Sequence, residues 1–312
     1  MIAIAFDDFG TPDMLRVVER PVPQLRAGEV RIDLRAVAVV PVDCKIRSGA
    51  LRAVFDIPLP KILGRDGAGV VHSVGTGVDF VKPGDPVCVV AGHAEQGTYQ
   101  QALVRTKDTI VAMPEGLGFA DAAALVHAGV CAVICLLDTA EITTGMRVLI
   151  HGGSGAIGSL AIQLAKSRGA FVATTCSEAN KALVRGIGAD LAIAHDTEDF
   201  TRIKDSFDIV LDLVGGSVHQ RSYGVLRKGR HLVCLNAAPI VDLSAQFGVR
   251  MTVARIHESP DVLRRVMDLA GKGVLKPHVS HRLPLDQAAD AHRMAEQGGA
   301  GNGRIVLDIP PL

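Results

Sequence analysis

Short apolar stretches separated by tight turns dominate the first part of the chain. The segments RIDLRAVAV, GAGVVHSVG and GDPVCVVAG alternate apolar or small side chains with others, and glycine, proline and aspartate bound them. Alternation of this kind between turn-forming residues is typical of β-strands. The pattern predicts a β-rich, barrel-like region that extends to about Gly116.

From Phe119 onwards, stretches with helical spacing of apolar residues alternate with short apolar runs. FADAAALVHAGVCAVICLLDTA and SLAIQLAKSRG predict helices, whereas RVLIH, FVATTC, DIVLDLV, HLVCLNA and MTVARI predict buried strands. Such alternation is typical of a parallel sheet that helices cover on both faces. We therefore predict an α/β region built on a doubly wound parallel sheet.

Beyond Gly273 the chain returns to its earlier pattern, with a helix in HRLPLDQAADAHRMAEQGG and a last strand in GRIVLDIP. The simplest arrangement is an α/β domain inserted into a β-rich one. We predict the N-terminal part of the β-rich domain at 1–118, the α/β domain at 119–272, and the return to the β-rich domain at 273–312.

A glycine-rich turn joins the predicted strand RVLIH to the helix after it. The pattern G-x-G-x-x-G is matched by six consecutive residues: Gly153, Ser154, Gly155, Ala156, Ile157 and Gly158. Between a strand and a helix, these glycines permit a tight turn, a close approach to a pyrophosphate, and close packing of helix on strand. The first N–H groups of a helix lack intrahelical partners, so an anion fits there. We predict a dinucleotide site, and a tight turn without ligand is the alternative.

The end of the next strand bears on which dinucleotide binds. An NAD site usually places an acidic residue there for the ribose 2′-hydroxyl, but this strand runs out through Cys176 and Ser177. Ser177 can donate to a 2′-phosphate, Lys181 supplies a cation, and His195 ends a neighbouring apolar stretch. We therefore favour NADP(H) over NAD(H), with Glu178 as the competing feature.

Charge and cysteine content narrow the class of protein. Lys and Arg together number 33, as do Asp and Glu, so no global field favours nucleic acid or an anionic membrane. The six cysteines are dispersed and form no C-x-x-C pair, which favours free thiols in a reducing compartment. The start MIAIAFDDFG has no basic segment typical of a secretory signal, and the apolar run Ala122 to Leu137 is short for a membrane span. We expect a soluble cytoplasmic protein.

Several segments, in order, resemble the medium-chain dehydrogenase/reductase family, in its zinc-independent quinone oxidoreductase branch. The segments are PVDCKIRSG, ILGRDGAGVVHSVGTGVDFVKPGDPV, GFADAAALVHAGVCA and HGGSGAIGSLAIQLAK. The resemblance covers nearly the whole chain. It implies a GroES-like N-terminal domain, a Rossmann domain, NADPH in the cleft between them, and a homodimer or homotetramer. The predicted strand MTVARI, near an edge of the sheet, could pair across a dimer.

The chain departs from the family pattern at positions that bind zinc and at positions that line the substrate pocket. Val40 stands where zinc-dependent alcohol dehydrogenases carry a cysteine ligand, and Gly64-Arg65-Asp66 where they carry Gly-His-Glu. Valine cannot ligate zinc and arginine repels it, so we expect no bound metal. The quinone reductases often have Asn at the Val40 position and can have Tyr near Ile46, and Cys131 replaces a threonine that typically meets the nicotinamide. We thus expect an unusually apolar substrate pocket.

The resemblance also points to candidate residues for the substrate and the rest of the cofactor. Substrate-pocket candidates are Val40, Ile46, Arg52, His127 and Cys131. Lys45, Arg47, Arg52 and His127 are candidate donors to a substrate oxygen. Val214 would line the ribose path, and Asn236 and Ala237 would approach the nicotinamide, since ligands of open α/β sheets bind beyond the carboxyl ends of strands.

Without a metal there is no Lewis acid to polarise an alcohol, so hydride delivery from NADPH to a quinone or an α,β-unsaturated carbonyl is the expected reaction. Two alternatives stay open. One is a zinc-dependent alcohol dehydrogenase with atypical ligands, and the other is an NADPH-binding protein with a structural or sensing role. The substrate is a small molecule in the first two cases.

Overall fold

The computed structural model describes residues 1–235, 240–298 and 302–312. The strands, in chain order, are β1 Ile2–Phe6, β2 Arg16–Glu19, β3 Val30–Val39, β4 Lys61–Ile62, β5 Asp66–Val74, β6 Pro86–Val90, β7 Ala102–Arg105, β8 Ile110–Ala112, β9 Arg147–His151, β10 Phe171–Cys176, β11 Leu191–Ala194, β12 Phe207–Asp212, β13 Leu226–Cys234, β14 Arg250–Val253, β15 Val279–Pro284 and β16 Arg304–Asp308. The α-helices are α1 Pro41–Arg47, α2 Phe119–Val133, α3 Ala156–Ser167, α4 Lys181–Gly186, α5 Gly216–Ser222, α6 Ser244–Phe247, α7 Pro260–Gly271 and α8 Ala288–Glu296.

The chain divides into two compact units. The first unit comprises residues 1–127, 258–271 and 277–312, and the second comprises 128–257 and 272–276. Helix α7 thus belongs to the first unit, whereas the domain range predicted from the sequence, 119–272, includes it. Whether those predicted ranges are independent domains stays a prediction.

The first unit is built on two sheets. The larger has the order β15-β16-β3-β5-β6-β8, with β7 also paired to β3, and the smaller has the order β2-β1-β4. Strand β3 alternates buried with half-buried residues over its first half, so Ile32 and Leu34 enter the core while Arg31 and Asp33 do not. Gly69 in β5 permits a close pairing, because a Cβ there would lie 2.3 Å from the carbonyl oxygen of Asp33. The predicted β-rich region is confirmed.

The return of the chain to the first unit is made by β16. This strand pairs antiparallel with β3, with Ile305 opposite Val39, and Ile305 lies in the same apolar core as the residues of β3. Strand β15 pairs parallel to β16 at the edge of the sheet. Residues far apart in the chain therefore complete one sheet.

The second unit has the predicted parallel sheet. Its strand order is β11-β10-β9-β12-β13-β14, and all of its pairings are parallel. Counted from β9, this is the order 3-2-1-4-5-6 of the Rossmann fold. The central strands are buried along their length, and Leu149, Ala173, Val210 and Leu232 form part of one apolar core.

Helix α2 is the most apolar helix among the described residues, and it continues as a π-helical segment over Ile134–Thr139. Together these residues, Phe119–Thr139, are the one described stretch long and apolar enough to cross a membrane. Of its most apolar window, 78% is buried within the protein, which is the setting of a core helix.

Candidate functional site

The glycine turn between β9 and α3 is held close to the sheet. Gly152 takes a φ of +77°, which is the conformation that an L side chain rarely adopts. A Cβ at Gly153 would lie 1.9 Å from Oγ1 of Thr174, and one at Gly158 would lie 2.2 Å from the carbonyl oxygen of Gly152. The tight turn therefore depends on Gly152, immediately before the predicted motif, whereas the first and third motif glycines permit close packing.

The start of α3, unlike the turn before it, has no side chain packed against its N-cap residue. Gly155 is the N-cap residue, no side chain caps the helix there, and the nearest atom to a Cβ at Gly155 would be the Gly152 oxygen at 3.4 Å. The amides of Ala156, Ile157 and Gly158 begin the helix and have no intrahelical acceptor. Amide donors without intrahelical acceptors at the positive end of a 12-residue helix suit a diphosphate.

A buried hydrogen-bond network anchors this turn to the sheet. Nδ1 of His151 lies 3.0 Å from Oγ1 of Thr175, and this hydroxyl oxygen accepts from the backbone N–H of Gly152 at 3.3 Å. Nε2 of His151 lies 2.9 Å from Oγ of Ser222 on α5. Burial lowers the pKa of His151 to about 4, so its ring is neutral at physiological pH and serves as a structural link.

The end of β10 lies beside the same turn. Nδ2 of Asn180 donates to Oγ of Ser154 at 3.2 Å, which joins the segment after β10 to the glycine turn. Strands β10 and β11 pair with Cys176 opposite Ala194, so Ser177 and His195 follow neighbouring strand ends. The backbone N–H of His195 donates to the carbonyl oxygen of Cys176 at 2.9 Å.

Lys181, the predicted partner of a 2′-phosphate, is held by carboxylates. Its Nζ donates to Oε2 of Glu178 at 3.2 Å and to Oε1 of Glu198. The hydrogen bonds to Glu198 and Glu178 raise the pKa of Lys181. Asp196 adds a third carboxylate, which accepts from the backbone N–H of Glu178 at 2.9 Å. The ammonium group of Lys181 is therefore already paired with two carboxylates, Glu178 and Glu198. Its role in binding a 2′-phosphate stays a prediction.

The remaining cofactor candidates are partly described. Val214 is 53% exposed, and its Cγ2 would lie 3.4 Å from a Cβ at Gly152, so it adjoins the glycine turn. Its backbone N–H donates to Oδ1 of Asp212 at 2.9 Å. Asn236 and Ala237 lie outside the described residues.

These residues together fit a dinucleotide. The turn brings Ser154, Asn180 and Val214 around the uncapped start of α3. That the first-turn amides hold the diphosphate, that Val214 lies beside the ribose, and that Ser177 and Lys181 receive the adenosine ribose stay predictions.

The substrate-pocket candidates of the first unit differ in exposure. Val40 and Ile46 are 2% and 1% exposed, and Ile46 belongs to the apolar core. Arg52 is exposed, and its guanidinium carbon lies 5.1 Å from the centre of the Phe9 ring. Cys131, in the second unit, is fully buried. Their contact with a substrate stays a prediction.

His127 is the candidate that the fold places in a charged cluster. Its Nδ1 lies 3.2 Å from Oε1 of Glu258, which also accepts from Nη2 of Arg65 at 3.0 Å. Sequence reasoning singled out Arg65 only as a missing zinc ligand and did not find Glu258. No motif marks Glu258, because it lies 131 positions from His127 in the chain. Sequence reasoning also missed Asn180. No motif marks it, because its contact with Ser154 depends on the path of the segment after β10.

Across residues 1–235, 240–298 and 302–312, no group of three or more His, Cys, Asp or Glu residues is arranged to hold a metal ion. The six cysteines are buried free thiols.

Two family models match the chain. Residues 26–144 match the alcohol dehydrogenase GroES-like domain, and residues 187–307 match a model described as zinc-binding dehydrogenase. These descriptions name the families and say nothing about metal in this chain. Together the two matches support the combination of a β-rich first unit and a Rossmann second unit.

Individual relatives extend the similarity over almost the whole chain. The chain is 32% identical to a 2-methylene-furan-3-one reductase of Solanum lycopersicum, with 99% of this chain and 80% of the relative covered. It has the same identity and coverage to the chloroplastic NADPH-dependent alkenal/one oxidoreductase of Arabidopsis thaliana. Among solved structures, the quinone oxidoreductase of Coxiella burnetii is 33% identical with a TM-score of 0.90, and 99% of each chain is covered. Similarity of this extent shows that the chain belongs to the medium-chain dehydrogenase/reductase family, in the branch of the quinone and alkenal/one oxidoreductases.

Proposed function

We propose that this protein is a zinc-independent oxidoreductase that transfers hydride from NADPH to a quinone or an α,β-unsaturated carbonyl. The observation that carries the proposal is the glycine turn beside the uncapped start of α3, in a chain whose relatives include an NADPH-dependent alkenal/one oxidoreductase. Relatives that reduce a methylene-furanone or a quinone support the same acceptor class, which is an electron-poor alkene conjugated to a carbonyl.

The geometry of the glycine turn supports a role for several of this chain's own residues. Gly155 leaves room for a diphosphate, and the amides of Ala156, Ile157 and Gly158 hydrogen-bond to it. The hydroxyl of Ser154, already oriented by Asn180, can donate to the same group. When bound, the reduced nicotinamide supplies the hydride, and the protein orients the reactants and excludes water.

Independence from zinc rests on the Gly64-Arg65-Asp66 segment. The side chain of Arg65 is 7% exposed, and its Nη2 lies 3.0 Å from Oε1 of Glu258. A permanent positive charge there repels a divalent ion, and Val40 offers no ligand atom. Arg65 is therefore the feature that favours a metal-free reaction.

NADP rather than NAD is proposed because β10 ends in Cys176 and is followed by Ser177, neither of which is acidic. Lys181 would exchange its bonds to Glu178 and Glu198 for the 2′-phosphate. Because that exchange leaves the carboxylates of Glu178, Glu198 and Asp196 nearby, the preference for NADPH is expected to be moderate.

An acceptor screen with NADPH and NADH tests the proposal. Purified protein is mixed with each cofactor and a panel of quinones, alkenals and enones, and oxidation is followed by the loss of nicotinamide absorbance. We expect faster turnover with NADPH. Stoichiometric zinc in metal analysis would instead favour an alcohol dehydrogenase with atypical ligands. Cofactor binding without turnover on any acceptor would favour a structural or sensing role.

We further propose a cytoplasmic homodimer or homotetramer. Strand β14 ends the parallel sheet, and its Val253 is 43% exposed, so the free edge could pair with a second copy. Size-exclusion chromatography with light scattering tests this directly. A mass equal to one 32.8 kDa chain at micromolar concentration would refute it.

A further inference from the structure

A second turn lies beside the glycine turn in the same unit, between β12 and α5. Its exposed residue Val214 would have Cγ2 3.4 Å from a Cβ at Gly152. Gly215 follows with a φ of +82° and a ψ of −164°, a conformation open essentially to glycine alone, and Gly216 has a φ of +58°. Backbone in such a sparsely populated conformation persists only where its surroundings hold it. The position of Val214 therefore depends on the groups that hold this turn.

The carboxylate of Asp212, at the end of β12, provides that support. Its Oδ1 accepts from the backbone N–H of Val214 and from that of Gly215, each at 2.9 Å. Asp212 is fully buried, and a hydrogen bond away from water is stronger than one exposed to it. One oxygen atom thus fixes two consecutive amides of the turn.

Two further side chains fix Asp212 in turn. Nδ1 of His219 on α5 lies 3.0 Å from Oδ2 of Asp212, and Nε2 of the same ring lies 3.1 Å from the hydroxyl of Tyr223. Both partners are fully buried, and burial raises the pKa of Tyr223, so its hydroxyl keeps its hydrogen atom. Every polar side-chain atom of these three residues has a partner, which gives the carboxylate a single orientation. We call them the Asp212–His219–Tyr223 network.

Helix α5 connects this network to the glycine turn. Oγ of Ser222, at the end of α5, lies 2.9 Å from Nε2 of His151, the residue before Gly152. The glycine turn also has its own hydrogen bond to β10, through the backbone N–H of Gly152. Loss of the Asp212 carboxylate should therefore displace Val214 and leave the amides at the start of α3 in place.

The strand order assigns Val214 to one half of a dinucleotide. Strands β10 and β12 lie on opposite sides of β9. A diphosphate at the end of β9 would direct one half of the molecule toward Ser177, after β10, and the other half toward Val214, after β12. The corner at Ser177 and Lys181 is the one proposed for the adenosine ribose. Val214 is then on the side of the ribose that carries the nicotinamide.

We propose that Asp212 is a positioning residue for the dinucleotide, which holds Val214 against the ribose on the nicotinamide side, and that His219 and Tyr223 keep Asp212 in place. This inference rests on the proposed function, because it requires a dinucleotide at the glycine turn. It assigns Asp212 no contact with the cofactor. The carboxylate acts through the backbone of the turn, so its removal should weaken the binding of one half of the cofactor only.

Asp208 offers a matched control at the opposite end of β12. It is 5% exposed, its Oδ2 accepts from the backbone N–H of Arg147 at 2.9 Å, and its Oδ1 lies 3.1 Å from Arg227 and from Arg230. Ligands of open α/β sheets bind beyond the carboxyl ends of the strands, and Asp208 is at the amino end. Its removal should cost stability, as that of Asp212 should, without affecting the cofactor.

Calorimetric titration of Asp212→Ala and Asp208→Ala tests the proposal with two probes. NADPH carries both halves of the dinucleotide, whereas adenosine 2′,5′-bisphosphate lacks the nicotinamide riboside. Asp212→Ala should weaken NADPH about tenfold, because the turn must now be ordered on binding, and should weaken the bisphosphate less than about twofold. Asp208→Ala should leave both affinities near those of the wild type, although both variants should lower the Tm.

If Asp212→Ala does not fold, Asp212→Asn replaces it, since the amide oxygen can still accept from the turn while the acceptor for His219 is lost. A loss of about threefold for NADPH alone is then expected. Equal weakening of both probes, unchanged NADPH binding, or the same loss in Asp208→Ala would overturn the role of Asp212 alone. A wild-type protein that binds neither NADPH nor NADH would overturn the proposed function instead.

Discussion

Two glycines of the turn before α3 have different physical roles, as the distances from a Cβ built at each position indicate. Gly158 lies against backbone, because a Cβ there would be 2.2 Å from the oxygen of Gly152 and 2.8 Å from the Cα of Gly153. Gly155 has only ordinary van der Waals space around it, with its nearest neighbour at 3.4 Å. One glycine therefore serves packing, and the other leaves a surface open for a ligand.

A matched pair of variants separates these roles. Gly158→Ala should reduce the free energy of unfolding by about 1–3 kcal/mol, because backbone cannot move aside as a flexible side chain would. Gly155→Ala should change it by less than about 0.5 kcal/mol. Urea unfolding measures both. Equal losses of stability in the two variants would contradict the assignment of packing to Gly158.

Lys181 raises a separate question, because its two carboxylate partners compete with a 2′-phosphate. Glu198→Gln should strengthen NADPH binding about three- to tenfold and leave NADH binding nearly unchanged, since it removes one repelling charge close to the phosphate. Calorimetric titration with both cofactors measures the ratio.

The control for that change is Glu115→Gln, which neutralises an exposed carboxylate in the other unit. It should leave the NADPH to NADH ratio as in the wild type. If Glu198→Gln also leaves the ratio unchanged, Lys181 does not meet the phosphate.

The strands and helices of the second unit could be predicted from the sequence, and most of the side-chain contacts could not. RVLIH, FVATTC and DIVLDLV are continuous apolar runs, and buried parallel strands require such runs on both faces. The glycine motif was equally visible, although the positive φ occurs at Gly152, one residue earlier than the motif indicated. Periodicity reports local structure, and these features are local.

Contacts made through loops carry no such signal. Arg65 and Glu258 are separated by most of the chain, and the carboxylate of Glu198 reaches Lys181 from the far end of β11. Nothing in the spacing of these residues indicates that they meet, because their separation depends on how the sheets order their strands. The contacts of Arg65 and His127 with Glu258 therefore could be found only from the fold.

His151 joins three elements of the Rossmann unit, since it ends β9 and contacts Thr175 on β10 and Ser222 on α5. Its pKa is lowered by burial from an ordinary 6.5 to about 4, so the folded state holds the ring neutral. The stability that this provides is complete above pH 6.5 and is lost as the pH falls from 6.5 towards 4, because the unfolded chain binds the proton first.

Comparison of wild type with His151→Gln tests that dependence. The difference in unfolding free energy between the two should be constant above neutral pH and should shrink by roughly 1 kcal/mol by about pH 5.5. Urea unfolding at a series of pH values measures it, and other titrating groups cancel in the comparison. A difference that grows on acidification would show that His151 is protonated in the fold.

The molecule as a whole combines a β-rich unit with a parallel-sheet unit. The second unit holds the amides and the polar corner for a dinucleotide, and in the first unit Arg65 and His127 both contact Glu258. With 33 basic and 33 acidic residues, the protein as a whole does not select its ligand by net charge. Selection must therefore come from these local groups.

The binding of NADPH to the glycine turn is the claim on which the reductase depends, and protection against thermal unfolding tests it most directly. NADPH at about a hundred times its dissociation constant should add about 2.7 kcal/mol of stability and raise the Tm by about 5 °C, with a smaller rise for NADH at the same concentration. If saturating NADPH and NADH both leave the Tm unchanged, the second unit does not bind a dinucleotide and the account is wrong.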